Sequence, residues 1–91
     1  MHHAPPPDLI LYGRPGCHLC DEAHEMVIAL LRQRSEAGQA TPQLVERDIE
    51  SNQDWHRAYF ETIPVLELGD QRLELAISVA KIRRLLADGL D

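Results

Sequence analysis

Cys17 and Cys20 are the two cysteines of the chain, and two residues separate them in the sequence Cys-His-Leu-Cys. A thiolate is the attacking species in disulfide exchange, and a neighbouring thiol can then displace the mixed disulfide that forms. The pair follows a short apolar run and a turn rich in glycine and proline, and a helical pattern begins at it. Cysteines in this position are typical of thiol–disulfide chemistry rather than of a secreted, cross-linked scaffold.

The expected position of the pair at the start of a helix assigns a role to each sulfur. The first backbone N–H groups of a helix have no partner within it, and the helix dipole is positive at this end. Both effects favour a thiolate, so we predict that Cys17 is the nucleophile. Cys20 lies one turn later, within reach of Cys17, and we expect it to be the more buried, resolving thiol.

Three other uses of the same cysteines stay open. Cys17, Cys20 and His24 recur at i, i+3 and i+7, so they could form half of a zinc site on one helix face. A closed structural zinc site needs four ligands, and the sequence offers no second Cys-x-x-Cys and no matching histidine pair. The other two are a pair of inert buried cysteines and a labile iron–sulfur cluster bridged between subunits. We predict no metal site and no resident cofactor.

The composition indicates one ordinary globular domain. The chain has 91 residues, of which 44% are hydrophobic and 26% charged. Its net charge of −6 argues against nucleic-acid binding, which requires a basic face. The sequence contains no apolar run of about 18 residues, and its first residues do not have the pattern of a signal peptide. We therefore expect a cytoplasmic monomer that binds neither nucleic acid nor membranes.

The elements that would position the cysteines alternate between strand and helix. Residues 1–7, with three successive prolines, predict a flexible tail, and the folded domain is expected over residues 8–91. The predicted elements are a strand at 9–12, a helix from 17 to a C-cap at Gly38, a strand at 43–48, a short helix from a Ser51 cap to about Phe60, a hairpin of strands 65–68 and 72–76 around Gly69-Asp70, and a last helix capped by Ser78.

The resulting order, β-α-β-α-β-β-α, predicts an α/β fold with a mixed four-stranded sheet flanked by helices on both faces. The first βαβ unit should be right-handed with parallel strands, and the later hairpin must be antiparallel. Apolar stripes at helical spacing are expected to form the core. They comprise Ala23, Met26, Val27, Leu30 and Leu31 in the first helix, and Val79, Ile82, Leu85 and Leu86 in the last.

Two segments of the chain resemble the glutaredoxins. Residues 12–20, Tyr-Gly-Arg-Pro-Gly-Cys-His-Leu-Cys, are similar to the active-site segment of that family, and residues 62–64, Thr-Ile-Pro, to its Thr-Val-Pro segment, whose proline is cis and faces the cysteines. The arrangement looks most like the short bacterial glutaredoxin-like proteins over residues 8 to 87. The resemblance implies a thioredoxin-like fold and a disulfide oxidoreductase. A non-catalytic adaptor of the same fold is the alternative.

The resemblance also implies partners and a substrate-binding set. The partners would be disulfide-containing proteins or peptides, with glutathione or a thioredoxin-type reductase as the reductant. The implied substrate-binding residues are Arg14, His18, Leu19, Ile63 and Pro64. A cation at Arg14 would favour the Cys17 thiolate, unless Arg14 pairs with Asp21 or is simply solvated.

His18, Leu19 and the histidines further along the chain are expected to contribute less to the reaction. We expect an exposed His18 with a modest effect on redox poise, and an apolar contact from Leu19 at the mouth of the site. His24 and His56 are expected at the surface.

Ile63 and Pro64 would shape the second side of the site. Proline cannot donate a hydrogen bond within a sheet ladder, so an ordinary trans proline at a sheet edge is one interpretation. A cis bond would instead turn the Ile63 backbone toward the thiols, free to pair with an extended substrate. The Thr-Ile-Pro context favours the cis form.

The chain departs from the glutaredoxin pattern after its last strand. Many glutaredoxins carry a Gly-Gly-x-x-Asp segment there, which holds the glutamyl end of glutathione. The corresponding residues 76–80 are Ala-Ile-Ser-Val-Ala, without a glycine or an acid. We therefore predict weak glutathione binding, although glutathione can still serve as a reductant.

Overall fold

A computed structural model of the protein describes residues 5–91. Its elements are β1 (Leu9–Gly13), α1 (His18–Glu36), β2 (Leu44–Asp48), a 3₁₀ turn (Ile49–Ser51), α2 (Gln53–Tyr59), β3 (Val65–Leu68), β4 (Gln71–Leu73) and α3 (Val79–Leu90). The predicted order of strands and helices is therefore confirmed. Of the predicted tail, residues 1–4 lie outside the described residues, and residues 5–7 precede β1 without helix or strand.

The four strands form one mixed sheet in the order β2-β1-β3-β4. β1 and β2 are parallel, with Leu9 opposite Leu44 and Gly13 opposite Asp48. β3 is antiparallel to β1, and β4 is antiparallel to β3. Since β1 and β2 run the same way, their carboxyl ends meet at one edge of the sheet, and α1 begins just beyond that edge.

The first helix begins where predicted, and its C-cap is Ala37, one residue before the predicted Gly38. Cys17 is its N-cap, and the Ala37 N–H donates to the Gln33 carbonyl at 3.0 Å where the helix ends. Gly38 follows with φ +70°, a left-handed conformation that glycine adopts without steric cost. No helix within residues 5–91 is both long and apolar enough to cross a bilayer.

Two groups of buried side chains cover the two faces of the sheet. The aliphatic core lies against α1 and α3, and comprises Leu9, Leu11, Ala23, Val27, Leu30, Leu31, Leu66, Leu68, Ala76, Ile82, Leu85 and Leu86. The thiol-side cluster includes residues of α2, and comprises Tyr12, Cys20, Ile49, Tyr59, Ile63 and Val65, with Ile10, Cys17 and Trp55 packed against it. Helices thus cover both faces, as predicted.

The predicted cap of the second helix is wrong by one residue. Asn52 is the cap, and its Oδ1 accepts hydrogen bonds from the backbone N–H groups of Asp54 and Trp55 at 2.9 and 3.1 Å. Ser51 belongs to the preceding 3₁₀ turn, where its hydroxyl donates to the Asp48 carbonyl at 2.6 Å. This turn buries Ile49 in the thiol-side cluster. Because Ser51 is part of the turn, it does not cap the helix.

The return strand of the hairpin is shorter than predicted. β4 ends at Leu73, and Leu75 adopts φ +47°, which no strand residue can hold. The N–H groups of Leu75 and Ala76 turn back instead to the carbonyls of Thr62 and Pro64, at 3.0 and 2.8 Å. The alternation of leucines predicted a strand through Ala76, but the chain bends after Leu73. Leu75 therefore lies outside the strand and is exposed.

The last helix keeps its predicted cap but not its whole apolar stripe. The Ser78 hydroxyl accepts a hydrogen bond from the Lys81 N–H at 3.3 Å, as expected for an N-cap. Ile82, Leu85 and Leu86 are buried, whereas Val79 is exposed. Val79 occupies the first helical position, next to the exposed Ile77, and it lies outside the aliphatic core.

Candidate active site

Cys17 occupies the N-cap of α1 and faces backbone donors there. A turn through Pro15 and Gly16 leads to it, with Gly16 at φ +77°. The Cys17 backbone is extended, at φ −91° and ψ 104°, and its Sγ accepts the Cys20 N–H at 3.2 Å. The helix thus directs one of its free N–H groups at this sulfur, an arrangement that stabilises negative charge on it.

The two sulfurs form a disulfide but differ in exposure. The Cα atoms of Cys17 and Cys20 are 5.2 Å apart, and a disulfide joins the side chains. Cys17 is half-buried, whereas Cys20 is only 7% exposed and belongs to the thiol-side cluster. A partner molecule can therefore reach the outer sulfur, and the inner one is sheltered behind it.

Gly13, at the end of β1, allows this close packing. A Cβ atom at this position would lie 3.2 Å from both Cβ and Sγ of Cys20, tighter than most side-chain contacts. Gly13 was not predicted as a site residue. The only signal for it in the sequence is a glycine at the end of an apolar strand, which also fits an ordinary turn.

Aromatic rings pack together in the thiol-side cluster that holds Cys20. The ring centroids of Tyr12 and Tyr59 are 4.4 Å apart, and the ring of Trp55 meets Tyr12 edge-on at 5.9 Å. Tyr12 is only 3% exposed, and burial raises the pKa of its hydroxyl, so this hydroxyl stays neutral near neutral pH. The inner cysteine therefore belongs to a cluster that combines aromatic rings with aliphatic side chains.

Two arginines donate hydrogen bonds to the tyrosine hydroxyl groups of this cluster. Arg47 donates a hydrogen bond to the Tyr12 hydroxyl at 2.9 Å, and its guanidinium lies 4.9 Å from the centroid of Trp55. Arg72 donates to the Tyr59 hydroxyl at 3.2 Å. The sequence did not single out either arginine, because each one is a polar residue in an alternating strand and is typical of a solvated face.

The predicted residues before and after Cys17 lie on the exposed side of the site. Arg14, His18 and Leu19 are all exposed. The His18 side chain is 86% exposed, and its Nε2 lies 3.3 Å from a carboxylate oxygen of Glu22. The expected alternative pairing of Arg14 with Asp21 is not among the ion pairs of residues 5–91. These three side chains are therefore open to a substrate that approaches Cys17 from solvent.

The Ile63–Pro64 peptide bond is cis, as predicted. Ile63 lies in the thiol-side cluster with Cys20, and Pro64 is fully buried. However, the Ile63 N–H donates to the Tyr59 carbonyl at 3.1 Å. The expectation that the Ile63 backbone is free to pair with a substrate is therefore wrong for this N–H group. This N–H is not available to an extended substrate, because the turn at the end of α2 uses it.

A cleft of about 420 Å³ opens between the first turns of α1 and the carboxyl ends of β1 and β2. It is lined by Leu11, Gly13, Arg14, Pro15, Cys20, Asp21, His24, Glu46, Arg47 and Asp48. His24 was expected at the surface; its side chain is 40% exposed, lines this cleft, and has Nε2 3.6 Å from a carboxylate oxygen of Glu46. Among residues 5–91, no three His, Cys, Asp or Glu side chains are grouped to hold a metal ion.

The thioredoxin-like fold and the Cys-x-x-Cys pair agree with a family comparison. Residues 8–87 match the family described as Glutaredoxin-like domain (DUF836), and the chain belongs to that family. No curated protein is similar enough to the chain to count as a match.

Solved structures agree with the fold. Protein XcR50 from X. campestris is 27% identical, with a TM-score of 0.69, and the similarity covers 88% of this chain and 96% of that one. Protein Ne2328 from Nitrosomonas europaea is 28% identical, with a TM-score of 0.56, covering 81% and 80%. The thioredoxin Deadhead from Drosophila melanogaster is 17% identical, with a TM-score of 0.63, covering 92% and 81%, and this likeness concerns the fold alone.

Proposed function

We propose that the protein is a thiol–disulfide oxidoreductase in which Cys17 is the nucleophile and Cys20 the resolving thiol. The observation that carries this proposal is the pairing of an accessible sulfur at a helix N-terminus with a sheltered sulfur one turn later. The Cys20 N–H, 3.2 Å from the Cys17 sulfur, favours the thiolate that disulfide exchange requires. Membership of the glutaredoxin-like family supports the same chemistry.

In the first step, the Cys17 thiolate attacks one sulfur of a substrate disulfide. The substrate S–S bond breaks, and the second substrate sulfur leaves with the bonding electron pair. The product is a mixed disulfide between Cys17 and the substrate. Cys17 is half-buried, and the residues next to it in the chain are exposed, which leaves room for this intermediate.

In the second step, Cys20 attacks the Cys17 sulfur and releases the substrate in its reduced form. The two cysteines are then joined in a disulfide, which is the form of the protein in the structure. Two electrons have passed from the cysteine pair to the substrate. Glutathione or a thioredoxin-type reductase returns the pair to its dithiol form, and no resident cofactor or metal takes part.

The substrate we propose is a disulfide-containing protein or peptide bound in an extended form. Arg14, His18 and Leu19 offer exposed charged, polar and apolar contacts around Cys17. The Ile63 carbonyl can accept a hydrogen bond from the substrate backbone, whereas its N–H is already used within the chain. Recognition therefore relies on side-chain contacts more than on a two-bond backbone pairing. The cytoplasm is the proposed compartment, and the monomer the proposed functional state.

Trapping the intermediate tests this proposal. Cys20→Ser should accumulate mixed disulfides with a peptide disulfide, because the first step proceeds and the second cannot. The matched variant Cys17→Ser should accumulate none. Mass spectrometry under non-reducing conditions measures both. Equal turnover of the peptide by wild type and both variants would contradict the dithiol cycle, and an inactive wild type would favour the adaptor interpretation.

Glutathione should bind weakly to this site. The segment 76–80 carries no acid for the glutamyl ammonium group, and the first turn of α3 is also without one. Each missing charged hydrogen bond is worth roughly 1.5–3 kcal/mol, or about ten- to more than hundredfold in affinity. An NMR titration of Cys20→Ser with glutathione should give non-saturating shifts. Tight, saturable shifts that include Ser78 and Val79 would show that the site holds glutathione specifically.

A further inference from the structure

The cleft beside Cys20 connects the resolving thiol to solvent-accessible titratable groups. Cys20 is only 7% exposed, yet it lines a cleft of about 420 Å³. A water molecule occupies about 30 Å³ in the liquid, so the cleft has room for several. The cleft is therefore a route along which a proton can leave the buried thiol.

The second step of the exchange proposed above needs such a route. Cys20 attacks as a thiolate, and burial in apolar surroundings disfavours the charged form of a thiol. The N–H at the helix start that stabilises negative charge faces the Cys17 sulfur and not that of Cys20. A base close to Cys20 would raise the fraction of attacking thiolate at the moment of resolution.

His24 has the position and the chemistry of that base. It follows Cys20 by four residues on α1, a spacing that places two side chains on the same helix face with Cβ atoms about 5–6 Å apart. Its Nε2 lies 3.6 Å from a carboxylate oxygen of Glu46 on β2. We propose that His24 accepts the proton of Cys20 through cleft water, an inference that rests on the disulfide exchange proposed above.

The other charged groups that face the cleft cannot do this as well. They are Asp21 of α1, Glu46, Arg47 and Asp48 of β2, and Arg14 of the turn before α1. Arginine stays protonated in proteins, and a carboxylate is a much weaker base than a thiolate. Imidazole is the side chain whose basicity best matches proton transfer from a thiol near neutral pH.

The proposed step is balanced in protons and electrons. The Cys20 S–H proton moves to the His24 imidazole, and the electron pair left on Cys20 Sγ forms the bond to Cys17 Sγ. The bond between Cys17 Sγ and the substrate sulfur breaks, and its electron pair leaves with the substrate. The imidazolium then returns its proton to the departing thiolate or to solvent.

A stopped-flow experiment separates the two steps. Reduced protein in excess is mixed with the chromogenic disulfide dithiobis-nitrobenzoate, which releases one coloured thiolate in each step. The first phase reports the attack by Cys17, and the second phase reports the attack by Cys20. We expect His24→Gln to slow the second phase about tenfold to a hundredfold at neutral pH and to leave the first phase unchanged.

The pH profile distinguishes a proton acceptor from a merely structural residue. The second phase of His24→Gln should rise with pH more steeply than that of wild type, since hydroxide must then take the proton that His24 accepts in wild type. His56→Gln, an exposed histidine on α2, should behave as wild type.

Each outcome supports or overturns a different claim. No second phase in wild type would overturn the dithiol exchange itself. A second phase with the same rate and pH profile in wild type and His24→Gln would overturn the role of His24 and leave the exchange intact, as would equal slowing of both phases. If His24→Gln does not fold, His24→Asn, which also cannot accept the proton, takes its place in the same comparison, with the same two outcomes.

Discussion

The two faces of the sheet are packed with different kinds of side chain. The aliphatic core of α1 and α3 contains only leucine, isoleucine, valine and alanine. The thiol-side cluster is smaller and contains two tyrosines and Cys20, with Cys17 and Trp55 packed against it. Its hydroxyl groups are paired with Arg47 and Arg72 at distances of 2.9 and 3.2 Å. One face therefore buries plain apolar surface, and the other buries groups that need specific partners.

The difference shows how a chain of 91 residues combines stability with a reactive site. Apolar burial is non-directional, so the aliphatic core can stabilise the fold without fixing the position of any one atom closely. Hydrogen bonds to the hydroxyl groups and the tilted and edge-on contacts between the rings are directional, and they constrain the cluster that contains Cys20. The reactive residues thus lie on the face whose packing includes directional contacts.

Adjacent residues of β3 provide a direct test of this division. Leu66 and Val65 are both fully buried, but Leu66 belongs to the aliphatic core and Val65 to the thiol-side cluster. Leu66→Ala should lower the free energy of unfolding by about 2–5 kcal/mol, and Val65→Ala, which removes fewer carbon atoms, by about 2 kcal/mol. Urea unfolding of the reduced protein measures both.

Reactivity should follow the opposite order. Val65→Ala loosens the cluster that holds Cys20, so it should change the rate of the second stopped-flow phase, whereas Leu66→Ala should leave that rate unchanged in the folded protein. Equal changes in both variants would show that the two faces are not separate in function.

The Tyr12–Arg47 pair tests the directional part of the thiol-side cluster. Arg47→Gln removes a hydrogen bond to a buried hydroxyl and a cation beside Trp55. We expect a loss of about 1–3 kcal/mol in the free energy of unfolding, because the Tyr12 hydroxyl is left without its partner. Tyr12→Phe removes that hydroxyl and should cost less.

The double variant completes the comparison. Arg47→Gln should be much less harmful in a Tyr12→Phe background, since no unpaired hydroxyl then remains. Urea unfolding of the four proteins measures the coupling. Strictly additive losses would mean that Arg47 stabilises the cluster without the Tyr12 hydroxyl.

Much of the fold could be predicted because its signals are local. The Gly69-Asp70 turn, the Gly38 end of α1 and the Ser78 cap each depend on a few neighbouring residues, and all three are present in the structure. The same holds for the Cys17–Cys20 pair at the start of α1. Residue types with strong conformational preferences therefore determine these positions almost alone.

The wrong predictions concern positions where more than one local hydrogen-bond arrangement is possible and the surrounding packing selects one of them. Asn52 and Ser51 are both good caps, and the burial of Ile49 in a 3₁₀ turn decides between them. The Ile63 N–H is used by the Tyr59 carbonyl at the end of α2, so this contact depends on where the helix ends.

The cleft was missed for a related reason. His24 and Glu46 are distant in the sequence, and they meet only in the folded chain, where α1 and β2 both border the cleft. The spacing places His24 on the same helix face as Cys20, but nothing in the sequence pairs it with Glu46, so this contact could not be predicted.

Arg34 is the buried charged residue among residues 5–91, and it lies on α1, a helix of the aliphatic face, near the end that is far from the cysteines. Its guanidinium donates to the Ala40 carbonyl at 2.8 Å and pairs with the Asp91 carboxylate at 2.5 Å. This pair joins α1 to the residue that follows α3. It is the exception to the plain apolar packing of this face, and it gives the smallest of the effects predicted for the molecule.

The hydrogen bond from Arg34 holds the pKa of Asp91 below its ordinary value of 3.8. The folded state therefore binds this proton less readily than the unfolded chain, so the stabilisation is complete above about pH 4 and is lost as the pH falls further. Wild type should lose unfolding free energy more steeply than Asp91→Asn between about pH 5 and 2, as measured by urea unfolding. Asp88→Asn, an exposed neighbour, should follow wild type. Identical slopes in wild type and Asp91→Asn would show that the Arg34 pair does not contribute to stability.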